Sequence, residues 1–137
     1  AAAIVAFTDA REAVLVRQYR HALNGYIWEI PAGTLDPGEA ALDCARRELA
    51  EEAGFAAAHW QALGAITPVP SYSDERIQLF LATGLSAATG HLDADEVLDA
   101  HCLPLPEVTA MITRGEIQDA KSICALLLAQ RRLERPS

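Results

Sequence analysis

Apolar and polar residues alternate between residues 12 and 20, with Val14 and Val16 on one side and Ala13 and Leu15 on the other. This is the period-two pattern of a β-strand. Similar apolar runs predict strands over 3–7, 26–30, 60–66, 76–83 and 97–103; in 76–83, Ile77, Leu79 and Leu81 share one side. The stretch from Asp36 to Gly54 carries a period near 3.6 instead and predicts one long helix. Shorter helical patterns follow at 106–114, stopped by Gly115, and from an Asp119 cap to about residue 133. Turn-forming residues fill 8–11, 21–25, 67–74 and 86–94. Strands split by one long early helix and closed by two late ones predict an α/β fold, an α/β/α sandwich over a mixed β-sheet. No repeat or linker interrupts the 137 residues, so a single domain over 1–137 is expected. The chain opens Ala-Ala-Ala-Ile-Val-Ala-Phe, already strand-like and without an initiator Met, and an N-terminal segment is expected to be missing.

In the long helix, Asp36 is the expected N-cap, Pro37 the first helical residue and Glu39 the partner that closes a capping box. Gly54 suits the left-handed position past the end. Leu42, Ala45, Leu49 and Ala53 make the stripe expected to face the core, and Glu48, Glu51 and Glu52 fall within an arc of about 100° at its edge. Carboxylates about 5.5 Å apart repel by ~3 kcal/mol per pair at an effective dielectric near 20. A divalent cation removes that cost, and hard oxygen ligands with room for water and phosphate suit Mg²⁺ or Mn²⁺. A solvated acidic helix face is the plainer reading of the same three residues. What favours a site is their company: a capping box, a glycine exit and the preceding loop Pro31-Ala32-Gly33.

Composition narrows the partners. Half of the residues (51%) are hydrophobic and 22% are charged, ordinary for a soluble globular domain. A formal net charge of -8 excludes nonspecific binding to nucleic-acid backbones or anionic membranes. No apolar run reaches membrane-spanning length and no signal peptide is evident. An anionic substrate therefore needs local compensation by metal ions or placed arginines. Cys44, Cys102 and Cys124 are odd in number and lack metal-ligand spacing, so reduced thiols in a cytoplasmic protein are expected. His21, His59, His91 and His101 form no ligand pattern.

Gly33, Glu39, Arg47, Glu48, Leu49, Glu51, Glu52, Gly54 and Phe55 match the spacing G-x5-E-x7-R-E-U-x-E-E-x-G-U, in which U is a bulky aliphatic residue; Phe55 is a mild departure that touches packing. The segment resembles the Nudix box. Arg17-Gln18-Tyr19-Arg20, Trp28 to Gly33, Ser73-Asp74-Glu75-Arg76, Gly115 to Ser122 and the proline at Pro70 resemble the ADP-ribose pyrophosphatase branch of that family. Pro68-Val69-Pro70-Ser71-Tyr72 departs from the branch's usual Pro-Ser-Pro-Gly-Phe, which leaves ADP-ribose and other nucleoside diphosphate sugars both open as substrates.

The resemblance implies the sandwich fold, a homodimer, and Mg²⁺- or Mn²⁺-dependent hydrolysis of a nucleoside diphosphate linked to another group. Glu48 and Glu52 are then metal ligands, with Glu51 helping and the backbone carbonyl of Ala32 as a further ligand. Gly33 gives the loop a close backbone approach, and Arg47 and Glu39 brace loop and helix. The general base comes from the box, at Glu51 or Glu52, or from the acidic cluster Asp93, Asp95 and Glu96, where Glu96 matches best. Arg20 is the candidate contact for phosphate or sugar, since guanidinium suits phosphate oxygens. Glu29 either touches ligand or pairs with an arginine; Trp28 and Tyr72 either stack on a base or pack. Two other readings stand beside hydrolysis. A non-catalytic sensing module is disfavoured by the complete set of glutamates. An unrelated acidic scaffold predicts no change in melting temperature with Mg²⁺ or Mn²⁺.

Overall fold

The structure, a computed structural model, describes residues 1–88 and 99–134. Its elements in chain order are β1 (Ala2–Ala6), β2 (Glu12–Arg20), β3 (Gly25–Glu29), β4 (Ala32–Gly33), α1 (Ala41–Ala53), β5 (Phe55–Ile66), β6 (Ile77–Ala87), β7 (Ala100–Pro104), α2 (Leu105–Thr113) and α3 (Ala120–Glu134). Strands β4-β1-β6-β5 form a mixed sheet in which β1 runs parallel to β6 and the other pairs are antiparallel. Strands β3-β2-β7 form a second, antiparallel sheet. A tight turn at Thr8–Arg11 and a bridge between Phe7 and Ala13 carry the chain from one sheet to the other.

Strand β1 is buried on both faces, as a run with no polar residue allows. Ala3 and Val5 join a core with Val108 and Met111 of α2 and Ala125, Leu126 and Ala129 of α3. Ala2, Ile4 and Ala6 join another with Cys44, Ala45, Leu49 and Ala53 of α1. Helices thus cover opposite faces of the sheet, and the expected α/β/α sandwich with a mixed sheet is found. The alternation within β2 is reproduced too, with Ala13 and Leu15 in the first core and Val14 in the second.

The structure corrects several boundaries. Helix α1 starts at Ala41, not at Pro37, because Gly38 adopts φ +77° and breaks the helical path. Only half of the expected Asp36–Glu39 box forms: the Asp36 N–H donates to Glu39 Oε1, but the Glu39 N–H donates to the Asp36 backbone carbonyl and not to its side chain, both at 2.9 Å. It closes a turn before the helix, whose N-cap, Ala40, makes no side-chain bond. At the other end Gly54 is left-handed as expected (φ 74°) and donates to the Ala50 carbonyl. Leu42 is only partly buried and Cys44 takes the deeper position.

Strand β5 begins at Phe55 rather than at residue 60, since it pairs along its whole length with β6, which itself runs on to Ala87. That long ladder absorbs alanines whose weak strand preference gave no local signal. Strand β4 is two residues long, held by pairing with β1. Asp119 caps α3 as expected, its Oδ2 accepting from the Ser122 N–H at 3.1 Å. Residues 89–94 of the expected loop and 97–98 of the expected strand lie outside the described residues.

Candidate active site

The turn at 36–39, strand β4 and helix α1 are locked together by one arginine. Arg47, two turns into α1, donates from Nε to Glu39 Oε2 (3.0 Å) and from Nη2 to Glu39 Oε1 (2.9 Å) and the Thr34 carbonyl (3.2 Å). Its Nη1 donates to Glu48 Oε1 at 2.7 Å and, more weakly, to Glu51 Oε2 at 3.4 Å. The fork from Arg47, helped by the Asp36 amide, holds the Glu39 carboxyl down at about 2. A carboxyl depressed from its ordinary 4.5 adds stability above that value, and the contribution disappears as pH falls through about 2. Glu39→Gln is therefore expected to lower the urea midpoint at neutral pH by an amount that shrinks steadily from pH 4.5 towards 2. A difference independent of pH would mean that the ion pair contributes nothing.

Glu48 and Glu52, one turn apart on α1, reach opposite parts of the Ala32–Gly33 strand. Glu52 Oε2 accepts from the Ala32 N–H at 3.1 Å. The Glu48 carboxylate lies against the Gly33 α-carbon so closely that a β-carbon there would overlap it. Gly33 is thus required for space. Burial pushes the Glu52 carboxyl up to about 7, with the charge of Glu48 adding to the effect and the Ala32 amide opposing it. Burial raises Glu48 as well, against the pull of Arg47. Glu51 is different: its side chain is 58% exposed and touches only the edge of the Arg47 fork. Gly33→Ala is expected to displace the Glu48 carboxylate by about an ångström and to lower turnover roughly 100-fold, read as kcat on the folded variant.

The donor set fits a hard divalent cation. Two half-buried carboxylates, each costly to ionise alone, stand beside a backbone strand and an open cavity. Mg²⁺ is held in this way, by one or two carboxylates with water and substrate phosphate completing the shell. Among the described residues no three Asp, Glu, His or Cys side chains converge into an all-protein cage.

A cavity of about 490 Å³, within the size range of small-molecule sites, opens beside Glu52 and the Ala32–Gly33 strand. Arg20, Ala32, Gly33 and Glu52, all singled out from sequence, line it; Glu75 and Lys121 join them. Arg20 is not free in solvent. It forks onto Glu29, Nε to Oε2 at 2.7 Å and Nη2 to Oε1 at 2.8 Å. Glu29 itself is only 2% exposed and also takes Lys121 Nζ. Burial works to raise the Glu29 carboxyl, but the hydrogen bonds from Arg20 and Lys121 outweigh it and hold the carboxyl below its ordinary value. Glu29 thus pairs with the arginine, the second of the two roles open to it. Trp28 packs against the core and meets His101 edge-on at 5.2 Å, while Tyr72 is almost fully exposed. Glu96, Asp93 and Asp95 lie outside the described residues. Sequence reasoning passed over Lys121 as an individual residue, although the segment Gly115 to Ser122 that holds it had been marked.

Comparison with known proteins agrees with this arrangement. The chain matches the NUDIX domain over residues 1–126. It is 39% identical over 132 residues to an ADP-ribose pyrophosphatase of Mycobacterium tuberculosis, covering 93% of this chain and 63% of that protein. It is also 39% identical over 133 residues to a methanol dehydrogenase activator of Bacillus methanolicus, covering 95% of this chain and 71% of the relative. A crystal structure of an ADP compounds hydrolase superposes with a TM-score of 0.86 at 28% identity, covering 97% of this chain and 71% of that one. The chain therefore spans 63% to 71% of the length of these relatives. With a match that runs from the first residue into α3 and takes in every part of the cavity described above, the chain belongs to the Nudix family.

Proposed function

We propose that this chain is a divalent-metal-dependent hydrolase that cleaves the diphosphate of ADP-ribose or a related nucleoside diphosphate sugar. Water adds to one phosphorus, the bridging P–O bond breaks, and a nucleoside monophosphate and a sugar phosphate leave. The observation that carries this reading is the cavity in which Glu52, Ala32 and Gly33 face Arg20 and Lys121. Carboxylates for a cation and cations for an anion border one space of nucleotide size.

Nudix hydrolases generally need a divalent metal, and here Mg²⁺ or Mn²⁺ fits the two-carboxylate donor set. Glu48, Glu52 and the Ala32 carbonyl would hold such an ion, which would supply charge neutralisation on the diphosphate and a more acidic water. Arg47 and Glu39 fix the helix against the glycine strand, so the carboxylates hold their positions before substrate arrives. Arg20 takes a phosphate oxygen. The proton leaving the attacking water passes to a carboxylate of the box or to Glu96, and a pH–rate profile of Glu96→Gln separates the two: loss of the acidic limb, where the rate rises with pH, assigns the step to Glu96. We take residues 1–137 to form one domain of a cytoplasmic protein that pairs as a homodimer, and light scattering is the check on the dimer.

The decisive experiment is a substrate panel with Mg²⁺, reading released phosphomonoester. ADP-ribose and nucleoside diphosphate sugars are expected to turn over, with no product when the metal is chelated. The equal identity to a relative named as a methanol dehydrogenase activator is the reason to extend the panel to other nucleoside diphosphate derivatives. Silence towards all of them would overturn the hydrolase reading.

A further inference from the structure

Ten arginines and a single lysine make up the basic residues of this chain, and the lysine is Lys121. It sits in the first turn of α3 with its side chain only 15% exposed, and it lines the cavity. Two carboxylates hold it there: Glu29 Oε1 and, at 3.0 Å, Asp119 Oδ2. Each is anchored in turn. Glu29 carries the Arg20 fork, and Asp119 Oδ2 also accepts from the Ser122 hydroxyl and amide. The fully buried Ser122 hydroxyl accepts from the Ile30 amide at 2.9 Å, three residues before Gly33. One continuous network thus ties the start of α3 to the end of β3 and to the loop that leads into β4.

Resting on the proposed hydrolase reading, we propose that Lys121 is a substrate-binding residue, which with Arg20 forms a two-cation wall that takes the substrate's phosphate oxygens opposite Glu52. Glu29 is the positioning residue that sets the two cations side by side. An ammonium has three N–H donors. Glu29 and Asp119 engage two, and the third has no partner among the described residues. A compact ammonium with one donor left over suits a phosphate oxygen, and a planar guanidinium needing the same two supports would not fit the same seat. The charges also balance: Arg20 and Lys121 against Glu29 and Asp119 leave the network neutral, so it adds no net repulsion towards an incoming diphosphate. Glu52 and Glu75 on the same cavity do add repulsion, and the wall gives the anion a favourable side from which to approach them.

A single lysine makes the test specific. Selective ¹³C-lysine labelling of the unaltered protein yields one Cε signal. With Mg²⁺ present, that signal is expected to shift and saturate on titration with the α,β-methylene analogue of ADP-ribose, and to shift with inorganic pyrophosphate. By calorimetry, Lys121→Met should weaken the analogue's Kd at least tenfold, with Lys121→Arg recovering only part of the affinity. A signal unmoved by saturating analogue, or a folded Lys121→Met that binds within twofold of the original, overturns the assignment. If the original protein gives no heat with the analogue yet pyrophosphate moves the signal, the nucleotide-sugar reading fails and the cation wall stands.

Discussion

Glu48→Gln and Glu52→Gln are each expected to lower kcat roughly 100- to 1,000-fold while the protein stays folded, because each removes charge from the only pair of carboxylates that α1 brings to the glycine strand. The amide that replaces Glu52 keeps an oxygen for the Ala32 N–H, so the backbone contact survives and the loss reads out charge alone. Stability gives a second, independent signature. Both carboxyls are raised by burial, so neutralising one relieves a cost in the metal-free protein. Metal-free Glu52→Gln should therefore melt no lower than the original protein near pH 8. Added Mg²⁺ or Mn²⁺ should raise the melting temperature of the original and leave the variant nearly unmoved. Near-normal turnover in either variant would remove the metal site from α1 altogether.

The second large effect is on the fold. Glu29→Gln is expected to cost about 3 kcal/mol, equivalent to a fall in Tm of roughly 10 °C for a chain of this size. The buried carboxylate satisfies both Arg20 and Lys121, and its loss leaves Arg20 without this partner and Lys121 with Asp119 alone. Much of Arg20 remains in water, which keeps the estimate at the low end for a broken buried pair. Thermal denaturation measures the effect directly. A variant that melts within 2 °C of the original would show that the network contributes little to stability. If Arg20 and Lys121 bind substrate as proposed, turnover should fall in parallel through KM more than through kcat, since those two cations lose their support while Glu48 and Glu52 do not.

Much of the architecture is written in local pattern. The period of two in β2 and the apolar run of β1 are satisfied by one arrangement, a strand between two cores. The helical stripe at Ala45, Leu49 and Ala53 could only dock against a sheet face. The ends of elements were less legible. The pattern at Asp36 to Glu39 reads locally as a helix start, yet Gly38 turns the chain left-handed and the Glu39 amide bonds the Asp36 backbone carbonyl, which closes a loop. The alanines of β5 carry no strand preference; pairing with a distant strand, β6, as in Ala56 with Ser86 and Ala57 with Leu85, makes them a strand.

Sequence by itself determined which side chains share a helix face and which spacing they keep, because a helix fixes the angle between residues one turn apart wherever it lies. That was enough to identify Glu48, Glu51 and Glu52 as one group, to which the resemblance in motif spacing added Arg47 and Glu39. Only the tertiary structure decided how the group divides, with Glu51 left mostly to solvent, Glu48 packed over Gly33 and Glu52 on the Ala32 amide. It alone brought Lys121, ninety-two residues from Glu29, onto the same carboxylate as Arg20. Contacts across that distance depend on how sheets and helices stack, and no local periodicity encodes them.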